Sequence, residues 1–194
     1  MFTINRTPIL ILSAPRTGST VLGEYIKQHC ANKSIPYFAE PDYEVDTMDR
    51  FTNFFSKSTY FILKMHYSHL YRYSTEIQNF LLTDSQVYRI RIQRRSVNSQ
   101  VASWYIALCR DNHWHFKSNT QPNDKIEIDL YKIEYCIGWI KYCNQILAEC
   151  TLPFDQNLIY EDLPEMTNLG YVKTPEPSNY LEILDAVNSL NYLN

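Results

Sequence analysis

The chain has 194 residues, of which 45% are hydrophobic and 14% aromatic, and its formal charge is −3. That length suits a single domain, residues 1–194, with a substantial core, and sixteen tyrosines with nine phenylalanines exclude intrinsic disorder. The acidic balance excludes a general nucleic-acid binder, which carries a strong positive excess, so any site for a polyanion must be local.

No apolar run approaches the roughly 20 residues that a membrane-spanning helix needs. The opening MFTINRTPILILSAPRTG has too short an apolar part for a signal peptide, and a cytoplasmic protein is the expectation. Residues 8–14, PILILSA, form a continuous apolar run, as expected of a strand buried on both faces of a parallel sheet. The pattern then predicts a helix over 19–30. Residues 31–58, with prolines at 36 and 41, read as loop with one short helix over 46–55. A second strand is predicted over 59–65, a helix over 74–82, and a third strand over 86–93, where apolar and basic residues alternate. Residues 96–110 read as a helix with Ser96 as its N-cap, and 117–125 as a polar loop. The longest helix is predicted over 129–150, a short strand over 157–160, and a last helix over 178–190. Strands alternating with helices indicate an α/β fold with a mostly parallel central sheet and helices on both faces.

The five cysteines contain no CxxC pair, and their odd number does not suit a disulfide framework. Cys136, Cys143 and Cys150 recur every seven residues along one helical face, as small buried hydrophobes do.

The first strand-helix junction, SAPRTGST, carries the chemistry. A helix N-terminus presents unpaired N–H groups and about half a positive charge, so it favours an anion. Gly18 has no Cβ to block close approach of the backbone to an oxyanion. Ser19 and Thr20 add hydroxyl donors, and Arg16 a planar guanidinium suited to phosphate or sulfate oxygens. An ordinary turn with capping hydroxyls would also fit the stretch. A Walker loop needs GxxxxGK[ST], and neither its first Gly nor its Lys is present. The loop is suited to a single phosphate carried without a metal.

The stretch RIQRRSVNSQVASWYIA repeats the logic: a strand, cations at its carboxyl end, then a helix opening with hydroxyl residues. Arg94 and Arg95 lie at the boundary, and Ser103 follows Arg95 by eight residues, two turns into the helix. Both junctions are expected at the carboxyl edge of the sheet. Two oxyanion sites on one edge suit a nucleoside phosphorylated at both ends.

PRTGST, with R-x7-S after a later strand, resembles the two phosphate-binding segments of sulfotransferases that use 3′-phosphoadenosine 5′-phosphosulfate (PAPS). The closer likeness is to the bacterial trehalose-type and tyrosylprotein-type branch, whose first loop reads PRSGST or PRSGTT. RRSVNSQVASWYIALCRDNHW resembles the trehalose-type segment, and LIYEDL at 158–163 looks like the strand and acidic turn of the C-terminal half of these enzymes. The resemblance covers roughly residues 8–163 and implies a P-loop-like three-layer fold. It also implies that Arg16, Thr17, Gly18, Ser19 and Thr20 hold the 5′-phosphosulfate, and Arg95 and Ser103 the 3′-phosphate, with PAP as product. Many family members close the cofactor with a basic C-terminal loop, whereas the tail here offers only Lys173.

Sulfuryl transfer needs cations for the leaving phosphate, a role for Arg16, and a general base for the acceptor hydroxyl. No redox step or metal is required. Lys64 and His66, two apart at a strand end, share one side of the sheet and resemble the KxH segment of cytosolic sulfotransferases. There the His acts as base and the Lys contacts the sulfuryl group; a His pKa near 6.5 suits that task. In the trehalose- and tyrosylprotein-type branch a Glu after the first helix does this work, and Glu40 holds a similar position. Glu40 is slightly favoured and His66 stays open. His69, His113 and His115 have no third partner at metal-ligand spacing. Trp104, Tyr105 and Trp114 could line an acceptor pocket or pack in the core, while Glu161 and Asp162 read as local caps or pairs. The expected function is sulfuryl transfer to a small hydroxyl acceptor such as a sugar, phenol or lipid. A P-loop-type nucleotide kinase and a non-catalytic nucleotide-binding relative are the alternatives.

Overall fold

A computed structural model describes residues 8–30, 35–39, 51, 53, 61–110, 125–163 and 176–191. Among the described residues five strands form one sheet: β1 Ile9–Ser13, β2 Tyr37–Ala39, β3 Ile62–His66, β4 Tyr88–Gln93 and β5 Gln156–Ile159. Their order is β2-β3-β1-β4-β5, and all four pairings are parallel. The α/β expectation therefore holds, and the sheet is parallel throughout rather than mostly so. β1 is central and buried along its whole length, which explains its uninterrupted apolar run.

The helices are α1 Ser19–Tyr25, continued by a π-helical turn Ile26–Cys30, α2 Tyr67–Leu70, α3 Thr75–Thr83, α4 Val97–Cys109, α5 Leu130–Ala148 and α6 Tyr180–Asn191. Alternation along the strands divides the core. Ile9, Ile11, Ile62, Ile90 and Ile92 pack with Leu22, Tyr25 and Ile26 of the α1 segment. Leu10, Leu12, Leu63 and Met65 face the other way, onto α2, α3 and Leu147 of α5. A third cluster joins α4, α5 and α6 through Val101, Tyr105, Ile133, Ile137, Ile183 and Val187. The result is three layers, helices on both faces of a P-loop-like sheet. Among the described residues, no helix is long and apolar enough to cross a membrane.

Ser96 caps α4 as the sequence predicts, accepting from Ser99 N–H, and Asp129 caps α5 in the same way, accepting from Lys132 N–H. β2 lies in a segment read from sequence as loop. Its three residues follow Pro36 and are recruited by β3 rather than by any pattern of their own. The short α2 was equally unmarked. The alternating arginines of β4 lie on the face of the sheet that carries Leu10 and Leu12. Arg89 donates to the carbonyls of Leu81, Val87 and Asp84 around the end of α3. Arg91 bonds Asn157 Oδ1 at 2.7 Å and lies 4.9 Å over the Phe154 ring.

Candidate functional site

The chain crosses from one side of β1 to the other between β3 and β4, which makes the carboxyl ends of β1 and β4 a topological switch point. The Ala14–Gly18 loop leaves β1 there, and Arg94 and Arg95 leave β4 beside it, so the two cationic junctions do share an edge.

Three successive loop carbonyls are held by side chains. Thr17 Oγ1 donates to Ala14 O at 3.0 Å, Gln100 Nε2 to Pro15 O, and Arg94 Nη1 to Arg16 O at 3.3 Å. In a trans peptide the N–H points opposite to the carbonyl, so these bonds aim the Arg16 and Thr17 N–H groups away from those partners. Arg16 and Gly18 both adopt left-handed backbone, with φ of 60° and 79°. Gly18 is the N-cap of α1 and, having no side chain, supplies no capping hydrogen bond to the first helical N–H groups. Ser19 is buried and accepts from Ser13 Oγ at 3.0 Å, and Thr17 is buried as well; Thr20 is half-buried. Sequence gives Gly18 one reason to be glycine, close approach of an oxyanion. The structure adds another: a Cβ there would run into the ring of Tyr160.

Arg16 Nε donates to Ser103 Oγ at 3.0 Å. The two residues expected at opposite ends of a nucleotide are thus hydrogen-bonded to each other. Burial, and then the neighbouring Arg94, lower the Arg16 pKa to about 10, so the guanidinium remains charged at neutral pH. Arg94 Nε is itself buried, with no hydrogen-bond partner among the described residues, and faces Glu161 Oε1 at 3.6 Å. Two guanidiniums held together against their repulsion form a cradle that an oxyanion would relieve.

Arg95 is exposed, and its guanidinium bonds both carboxylate oxygens of Asp162, at 2.7 and 2.8 Å. That pair, made first through the hydrogen bond, raises its pKa. Glu161 accepts from Arg95 N–H at 2.9 Å and Ser96 N–H at 3.3 Å, so these acids do cap and pair locally. Partial burial pushes the Glu161 carboxyl up, but those N–H bonds and Arg94 outweigh it and hold its pKa below the ordinary range.

Lys64 and His66 lie on one face of β3, level with Ile11 and Ser13 of β1, so His66 reaches the carboxyl edge and Lys64 lies two residues short of it. Lys64 is only 4% exposed; His66 is half-buried, with the His69 ring centroid 4.9 Å away. Glu40 directly follows β2, and it lies outside the described residues, as do His113, Trp114, His115 and Lys173. Tyr105 is core: it is buried, and its hydroxyl donates to Glu127 O at 2.6 Å. Trp104 packs against the α4–α5–α6 cluster. Among the described residues no group of acids, histidines and cysteines could hold a metal.

Sequence reasoning missed Gln100, which is fully buried, bonds the loop, and accepts from Asn144 Nδ2 at 3.0 Å. Its signal was a polar side chain among the apolar positions of α4. Tyr160 was missed too, because its partner Gly18 is far away in sequence.

No protein-family profile matches the chain, and no curated protein matches its sequence. Solved structures that match include a polyphosphate kinase 2 from Arthrobacter aurescens TC1, with TM-score 0.44 and 12% identity over 96% of this chain and 70% of that one. Another is a mouse sulfotransferase, SULT7A1, complexed with PAP, with TM-score 0.39 and 12% identity over 100% of this chain. This chain spans 61% of that sulfotransferase.

Proposed function

We propose that this chain is a transferase that grips the 5′ phosphosulfate of PAPS in the Arg16–Thr20 loop and passes the sulfuryl group in line to a small hydroxyl acceptor. The observation that carries this is the pairing of Arg16 with Ser103 beside Arg94 at the switch point. It brings the cationic loop and the middle of α4 into one cradle. Arg16 and the first N–H groups of α1 take up charge on the leaving phosphate, and Lys64 contacts the sulfuryl oxygens. Arg95 and Ser103 are assigned to the 3′-phosphate end. The base is Glu40, slightly favoured, which follows β2 in the sequence, or His66, at the carboxyl end of β3.

The donor is tested by melting. Adenosine 3′,5′-bisphosphate (PAP) raises the melting temperature by mass action, more than ATP with Mg²⁺ does, and a chelator leaves the shift intact. A larger shift with Mg²⁺-ATP supports a nucleotide kinase instead. Binding without turnover in a screen of sugar, phenol and lipid hydroxyls with labelled donor supports a non-catalytic relative. The base is assigned by comparing Glu40→Gln with His66→Ala; one of them loses about 10²–10⁴-fold in turnover while donor binding persists. A loss under about tenfold in both removes both assignments.

A further inference from the structure

Where the donor's 3′-phosphate is assigned, the chain has placed carboxylates of its own. The backbone N–H groups of Arg95 and Ser96, just before α4, point at Glu161, Arg94 flanks the same carboxylate, and Arg95 is clasped by Asp162. A helix start attracts an anion, and here an internal one already occupies it. Both acids belong to the 3₁₀ turn Tyr160–Asp162, whose first residue lies against Gly18 of the loop, with Arg94 5.6 Å over its ring. One three-residue turn therefore touches both anion-binding segments.

We propose that Glu161 and Asp162 are specificity-determining residues, which compete with a second phosphate on the nucleotide for Arg95 and the start of α4. Like charges cannot share that cradle cheaply, so a 3′-phosphate must push the acidic turn outward to enter. The same movement loosens Tyr160 from Gly18, where the 5′ group lands, so the two ends of the ligand are felt by one element. A nucleotide carrying only a 5′ group meets no such competitor. This inference rests on the loop being the 5′ site.

Titration calorimetry with adenosine 3′,5′-bisphosphate and adenosine 5′-monophosphate separates the possibilities. Glu161→Gln keeps an acceptor for the Arg95 and Ser96 N–H groups while removing the charge. In the Glu161→Gln/Asp162→Asn protein the bisphosphate binds about tenfold tighter or more, and the monophosphate stays within about twofold. Asp162→Asn alone breaks only an exposed pair, which contributes little to folding, and gives a smaller gain of the same kind. Unchanged bisphosphate affinity in both variants, or an equal gain for both nucleotides, overturns the proposal. Monophosphate binding that survives Arg16→Ala overturns the loop assignment, and this inference with it. Loss of that binding together with a flat bisphosphate response overturns the inference alone.

Discussion

Arg16 is asked to do two things that conflict. Its backbone sits at φ 60°, a conformation that costs a residue with a Cβ about 1–2 kcal/mol, while its side chain is the charge at the centre of the cradle. The strain is separable from the charge. Arg16→Gly relieves the backbone, so it retains about 1 kcal/mol more stability than Arg16→Ala in chemical denaturation. Both variants lose the PAP-induced rise in melting temperature. Equal stability of the two would show that the loop relaxes at this position. None of this could be read from PRTGST as letters. The sequence marks a cation and a glycine at a strand end, but a left-handed arginine is set by contacts made across the fold.

At the scale of elements, α4 is the most heavily constrained. Ser96 caps it, and Glu161, on the turn after neighbouring β5, accepts from the Arg95 and Ser96 N–H groups that lead into it. Because the folded structure holds the Glu161 pKa below that of the unfolded chain, its contribution is complete above the ordinary carboxylate range. It is lost as the pH falls through the lowered value. Melting temperatures followed from about pH 6 down to 3 therefore drop more steeply for the native chain than for Glu161→Gln. Parallel curves would mean that the carboxylate contributes nothing. Elements of this length were legible in sequence because period and caps agree. Helix 129–150 emerges as Leu130–Ala148, and strand 86–93 as Tyr88–Gln93. β2 was not legible, since a three-residue edge strand has too few positions to show alternation and depends on β3 for its bonds.

Taken as a whole, the molecule fixes its loop through a buried relay: Asn144 on α5, Gln100 on α4, then the Pro15 carbonyl. Removing the middle member leaves a buried carbonyl and a partly buried amide unpaired, which costs about 1–3 kcal/mol. Gln100→Ala accordingly melts lower and binds PAP more weakly, although Gln100 is not assigned to the nucleotide. Undiminished PAP affinity in that variant would show that the loop holds its shape alone. The two cationic junctions at one edge of the sheet were legible as strand-cation-hydroxyl patterns. Their mutual contact was not, since periodicity reports which face a residue takes and not which distant residue meets it there.

The clasp between Arg16 and Ser103 joins positions 87 apart in the chain. Closing so wide a span costs chain entropy that only the docked sheet and helices repay. The expected order on refolding is local helices first and the Arg16–Ser103 clasp last. A chain halted partway would have helix content by circular dichroism yet remain indifferent to nucleotide, so ligand protection in a pulse-refolding experiment times the final step of assembly.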